Sequence, residues 1–170
     1  MNQMNLFIGK RLGIRDQGLK KGFTLLELII VIGILSMMVL GMLFILRNQI
    51  LGNLDGDALI ISARLMDAQT RAISGVGGIK WGIHFENPAT SSPFYALFGG
   101  ASYSNAASST YFLSSPIEFQ APASGAATDV VFNKLNGAAA GAASIVIRPK
   151  SDPSMTKTIT VTTEGKISVE

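Results

Sequence analysis

The chain has 170 residues, a formal net charge of +3, 48% hydrophobic residues and no cysteine. That length holds one domain of modest core, and without cysteine neither a disulfide framework nor a thiolate metal centre can be built. The basicity is local: Lys10, Arg11, Arg15, Lys20 and Lys21 against Asp16 load the first 22 residues, leaving nine basic and ten acidic side chains beyond them, so net charge makes no case for a nucleic-acid-binding surface.

The first predicted element is an apolar run. From Phe23 to Leu46 the only polar side chains are Thr24, Glu27 and Ser36. At ~1.5 Å rise per residue this stretch makes a helix of roughly 36 Å, enough to cross a hydrocarbon core of ~30 Å. The basic residues ahead of it predict that the C-terminal part lies outside the cytoplasm. A secretory signal has a shorter apolar region followed by a small-residue cleavage site, whereas here a glycine, Gly22, precedes the run. Glu27 is out of place in it. A carboxylate at the centre of an inserted helix costs about 2.5–3.5 kcal/mol, and less near an end from which it can snorkel. Charge in lipid is stable mainly when paired. An amine freed on Phe23 by cleavage after Gly22, on a neighbouring copy, is a suitable cation.

The segment Lys20-Lys21-Gly22-Phe23-Thr24-Leu25-Leu26-Glu27 resembles the cleavage and methylation signal of type IV pilins and of the related type II secretion pseudopilins. The resemblance implies a prepilin whose leader is cut after Gly22 by a membrane aspartic peptidase, with N-methylation of the new terminus, Phe23. It further implies that Glu27 pairs with the terminal amine of an adjacent subunit during filament assembly. A tip subunit of the family can lack this glutamate, so its presence points away from the extreme tip. The implied partners are the prepilin peptidase, other pilin or pseudopilin subunits, an inner-membrane assembly platform, and membrane lipid before assembly. The implied location is the bacterial inner membrane, single-pass with the head outside the cytoplasm, and then a periplasmic or cell-surface filament. Two departures stand out: the leader is longer than is common among pseudopilins, and the cysteine pair of many major pilins is missing, which leans towards the pseudopilin side.

Beyond the apolar run, Arg47-Asn48-Gln49 marks an exit into head groups. The segment 51–57 is rich in helix-weakening residues and predicts a bend, with Asp57 capping a renewed helix over 58–74. Ala58, Ile61, Leu65, Ala68 and Ala72 make one apolar face of that helix, while Arg64, Asp67 and Arg71 fall on another. Gly75-Val76-Gly77-Gly78 then ends it. The order helix, glycines, strand is the reverse of a phosphate-binding loop, so the glycines read as a C-cap and turn.

From Lys80 the period changes to two. Trp81, Ile83 and Phe85 alternate with Lys80, Gly82 and His84, which predicts a half-buried strand. Further strands are predicted at 94–98, 110–113, 117–120, 130–135, 144–148, 156–162 and 166–169, the last two flanking Thr163-Glu164-Gly165 as a terminal hairpin. The Ala/Ser/Gly stretches 99–109, 121–128 and 137–143 predict exposed, mobile loops, with sugar attachment or partner contact as the functional alternative. The fold class is therefore α+β: a long N-terminal membrane-spanning helix followed by an antiparallel β-rich, pilin-like head. Its expected organisation is a leader at 1–22, a transmembrane and filament-core helix at 23–46, an amphipathic continuation at 47–74 and an exported head at 75–170. The helix, the Trp-containing strand and the strand–Glu-Gly–strand ending also resemble the pseudopilin H / FimT-like minor group.

Little in the sequence reads as chemistry. His84 is the one histidine, and a metal site needs several converging ligands. A serine triad needs an oriented carboxylate and a positioned serine, and no Gly-x-Ser-x-Gly turn occurs. Glu86, Glu118, Asp129 and Asp152 are dispersed singly between apolar strands. No catalytic residue, metal ligand or cofactor is expected, and the chain reads as a substrate of the peptidase and not as an enzyme. Arg148, Lys150, Lys157 and Lys166 are the candidate DNA contacts. Asp152, Glu164 and Glu170 lie among them without interleaved aromatics, so nucleic acid is disfavoured. The expected function is a structural subunit, a minor pilin or pseudopilin. A DNA-binding minor pilin for natural transformation and a major pilin stay open as alternatives.

Overall fold

The computed structural model describes residues 22–104 and 108–170; leader residues 1–21, and 105–107 within the Ala/Ser stretch, lie outside the described residues. The chain divides into two units, residues up to Gly41 and Met42–Glu170. One helix, α1, is assigned from Leu25 to Ile73. Within it Leu25–Leu43, with a mean hydropathy of 2.6 and none of it buried, is long and apolar enough to cross a membrane.

In the second unit α1 is followed by a 3-10 turn at Val76–Gly78 and eight strands. These are β1 (Trp81–Asn87), β2 (Phe94–Gly99), β3 (Ser108–Phe112), β4 (Ile117–Ala121), β5 (Ala126–Phe132), β6 (Ala143–Pro149), β7 (Lys157–Val161) and β8 (Ile167–Val169). They form two antiparallel sheets, ordered β3-β2-β1-β5 and β4-β6-β7-β8. The architecture is the α+β layout that the sequence predicts.

The bend expected at 51–57 is absent, because α1 runs on through Gly52 and Gly56. Each glycine costs a helix interior about 1 kcal/mol, but packing offsets this. Leu54, Ala58, Ile61, Leu65, Ala68 and Ala72 follow one another at alternating four- and three-residue spacing, and all are buried. Burying a side chain such as Leu54 contributes about 1.5–3 kcal/mol. This stripe meets Ile83, Phe85, Leu97 and Phe132 of the first sheet and Ile117, Ile145, Ile147, Ile159 and Val161 of the second in one core.

Asp57 is correspondingly not a helix cap. It is only 7% exposed, and its carboxylate accepts two hydrogen bonds from Ser114 between β3 and β4. The Ser114 N–H donates to Oδ2 at 2.9 Å and the hydroxyl donates to Oδ1 at 2.9 Å. Burial pushes the Tyr95 phenol up from its ordinary value, and the charge of Asp57 adds to that. Asp57→Ala leaves the Ser114 N–H without its acceptor and is expected to lower stability by about 1–3 kcal/mol. Asp57→Asn, which keeps one acceptor oxygen, should recover part of it. Urea unfolding of the full chain in detergent reads both.

The glycine turn behaves as expected, with Gly75 at φ 66 and its N–H donating to the Ala72 carbonyl at 3.2 Å. Two loop expectations fail. The loop expected at 121–128 and the strand expected at 130–135 give way to β5, which starts at Ala126 and ends at Phe132, because its whole length pairs with β1 from Trp81↔Phe132 to Asn87↔Ala126. The stretch 137–143 is not an exposed loop throughout. Gly137 and Ala139 are buried, Ala139 bridges to Phe132, and Gln69 Nε2 of α1 donates to the Gly137 carbonyl at 2.9 Å. Small side chains here permit close docking on the helix end, where the composition alone reads as slack.

Candidate functional site

The N-terminal motif begins before regular structure does. Gly22, Phe23 and Thr24 precede α1 and are exposed, with Phe23 80% accessible, so the Gly22–Phe23 peptide stands clear of helix and sheet. A Cβ built on Gly22 meets nothing within 4 Å; the fold itself makes no demand for glycine there. Thr24 is the N-cap. Its Oγ1 accepts from the Glu27 N–H at 3.2 Å, and its carbonyl accepts from the Leu28 N–H at 3.1 Å.

Thr24 and Glu27 thus have the Thr-x-x-Glu spacing of a capping box, and a carboxylate in the first turn suits the helix dipole. This is a local role that reading Glu27 only as a stray charge passes over, although the three-residue spacing was its signal. Glu27 is exposed. Among the described residues no cation pairs with it. A carboxylate so placed at the head of an apolar helix can accept a cation brought from elsewhere.

Two of the four candidate DNA contacts, Arg148 and Lys157, are paired with carboxylates. Arg148 Nε is held by Glu118 Oε1 at 2.8 Å, Lys150 Nζ donates to the Ser115 carbonyl at 2.8 Å, and Lys157 Nζ pairs with Asp55 Oδ1 at 3.3 Å. Lys166 is exposed at the turn before β8. Arg148 and Lys150 do line one open polar groove, but Glu118 lines it with them, so its charge is mixed.

His84 corrects the sequence reading in two respects. Its strand is covered on both faces, since Gly82, Ile83, His84 and Phe85 are all buried. Nor are Glu86 and Asp129 isolated. His84 Nδ1 meets Asp129 Oδ1 at 2.5 Å, and Nε2 meets Glu86 Oε2 at 3.2 Å. Asp129 sits directly opposite His84 in the β1–β5 register, and Glu86 is two residues along the same strand, hence on the same face. With both ring nitrogens facing carboxylates, neither is free to activate a hydroxyl. Among the described residues no group of three or more His, Asp or Glu side chains could hold a metal ion.

The family model described as the prokaryotic N-terminal methylation motif matches residues 19–43. No curated protein matches the chain. Among solved structures it is similar to the type IV minor pilin FimU of Pseudomonas aeruginosa (strain PAO1) in two crystal forms. The P65 form gives a TM-score of 0.50 at 16% identity, over 69% of this chain and 92% of that one. The P21 form gives 0.52 at 17%, over 75% and 92%. At such identity the likeness is one of fold. The motif is carried by residues at the start of the chain, and the likeness of fold by a backbone path that covers 69% to 75% of it.

Proposed function

We propose that this chain is a structural, non-catalytic subunit, a minor pilin of a type IV pilus or the equivalent pseudopilin of a type II secretion pseudopilus. The observation that carries the reading is the methylation motif at 19–43 heading the apolar helix of a pilin-like fold. The name of FimU as a minor pilin supports the rank, and the Trp-containing strand and terminal hairpin support a place near the pseudopilin H / FimT-like group. In this reading the leader 1–22 is removed by prepilin peptidase, Phe23 is methylated, and the helix at 23–46 waits in the inner membrane with the head outside the cytoplasm. Glu27 then pairs with the amine of an adjoining subunit as an assembly platform draws the apolar helices out of lipid into a filament core. The continuation 47–74 and the head 75–170 follow as the outer part of the subunit.

The test is quantitative mass spectrometry of filaments sheared from the native cells, with the N-terminal peptide included. N-methylated Phe23 at trace abundance beside a dominant subunit supports the minor rank, and dominance of this chain makes it a major pilin instead. An intact leader in both filament and membrane fractions defeats the reading. Gly22→Val, which the fold itself tolerates, is expected to abolish Phe23 termini altogether, because the requirement for glycine lies in the peptidase. Phe23 termini formed at the wild-type rate would move the cut elsewhere.

A further inference from the structure

The first sheet has a second face, turned away from the α1 core, that carries His84, Ala96, Phe98 and Val131, all of them buried. An aromatic side chain from the Ala/Ser stretch that the sequence marks as a mobile loop lies on it. The Tyr103 ring stacks on the His84 ring with centroids 3.9 Å apart and planes 2° from parallel. It also meets Phe98 edge to face at 5.7 Å. The Tyr103 N–H donates to Asp129 Oδ2 at 3.4 Å. Tyr103 therefore depends on the same two groups, His84 and Asp129, that are themselves joined.

The protons on that cluster can be counted. A neutral imidazole has one N–H and one lone pair, so it satisfies one carboxylate and repels the other. Two carboxylates on one ring require both nitrogens to carry hydrogen, which is the imidazolium. Its positive ring is also the form that stacks well on a tyrosine face. The titratable groups facing the ring are Asp129 from β5, Glu86 along β1 and the Tyr103 phenol; β2 brings Phe94, whose ring lies 6.1 Å away, and Ala96 opposite His84 in the register, neither of which titrates.

We infer that Tyr103 is a pH-dependent latch on the outer face of this sheet, shut while His84 is doubly protonated between Asp129 and Glu86. When the imidazolium gives its proton to water, the trio goes from one net negative charge to two, and one carboxylate faces a lone pair. Asp129 then swings from the ring, the acceptor of the Tyr103 N–H goes with it, and the stacked ring leaves. Opening uncovers the Phe98 ring that Tyr103 meets edge to face, on the same sheet face as Ala96 and Val131. The latch is therefore shut while both ring nitrogens carry hydrogen and opens as rising pH takes one of those protons away. On the proposed location outside the cytoplasm the latch reads the pH of the surroundings, but the test does not depend on that location.

His84 is the chain's only histidine, so a full-length sample with ring-labelled histidine, in detergent micelles, gives its protonation from a single resonance by NMR. Amide exchange at Tyr103, taken relative to the unprotected rate at each pH, reads the latch. Loss of a charge-assisted bond predicts a fall in protection of about tenfold, discounted for the partial exposure of the two acids, with the same midpoint as the ring titration. His84→Gln should abolish the step. Should that variant fold poorly, Glu86→Gln, at the more exposed end of the cluster, should move both midpoints together to lower pH, since one carboxylate favouring the charged ring is gone. Protection that stays level through the ring titration overturns the latch, as does a step that persists unchanged in either variant.

Discussion

Glu27→Leu is expected to insert and be cleaved normally, yet to fall at least about tenfold in sheared filaments, the factor that about 1.4 kcal/mol of lost pairing represents. Insertion should survive because the substitution removes a charge that a membrane-spanning helix carries at some cost. The helix start should survive as well, since Thr24 Oγ1 is bonded by the backbone N–H of residue 27 and not by its side chain. What the variant lacks, on the proposed assembly mechanism, is the negative charge that would meet the amine of a neighbouring subunit.

A leucine alone leaves an ambiguity, because Thr24 and Glu27 also have capping-box spacing. Glu27→Gln resolves it. Glutamine serves in a capping box as glutamate does and has nearly its volume, but carries no charge. If Glu27 mattered only to the helix start, the glutamine variant would assemble like the wild type. The pairing mechanism requires it to fail as the leucine variant does, with membrane insertion and the Phe23 terminus intact in both. Mass spectrometry of filament and membrane fractions from the same cells measures all three quantities.

How much of this was legible in the sequence depends on the range of the interaction involved. The apolar run, the Gly-Phe-Thr-Leu-Leu-Glu signal and the buried face of α1 are local patterns with a fixed period, and they could be read directly. The helical stripe reaches further than the apolar face of 58–72. Leu54 extends it by one step at the same spacing, and that step carries the helix across Gly56, where single-residue propensity argues for a bend. Strands were recognisable by alternation, but their partners were not. The meeting of His84 with Asp129 follows from β1 pairing β5 across 45 positions, and no spacing in the sequence encodes that register. The same holds for the alanine- and serine-rich stretches. Their composition says only that they bury little area per side chain, whereas Tyr103 rests on His84 and Asp129 of β1 and β5, and the stretch around Ala139 docks on Phe132 and on Gln69 of α1. The helical cap at Thr24 is the reverse case, a local signal that was present and hidden behind a more conspicuous one.

Gly165→Ala is expected to be among the most damaging single changes in the head, at about 2–5 kcal/mol, by adding a left-handed backbone penalty to overpacking. Gly165 holds φ 87 in the β7–β8 turn, where its N–H donates to the Thr162 carbonyl at 2.9 Å. A side chain in that conformation costs about 1–2 kcal/mol by itself. The space is also taken: a Cβ would press on the Gly137 carbonyl oxygen and stand 2.6 Å from Gln69 Nε2. Those atoms cannot simply step aside, because Gln69 Nε2 donates both to the Gly137 carbonyl at 2.9 Å and to the Gly165 carbonyl at 2.8 Å. One helix side chain thereby ties the β5–β6 connection to the terminal hairpin, and displacing it leaves several buried polar groups short of partners. Gly125→Ala is the control. Gly125 has a similar φ of 79 with nothing within 4 Å of a built Cβ, so only the backbone penalty of about 1–2 kcal/mol applies. Denaturant unfolding of the two variants in the full chain separates the terms. A Gly165→Ala loss no larger than that of Gly125→Ala would mean that the Gln69 junction yields freely, and that the hairpin is held to α1 by its apolar residues alone.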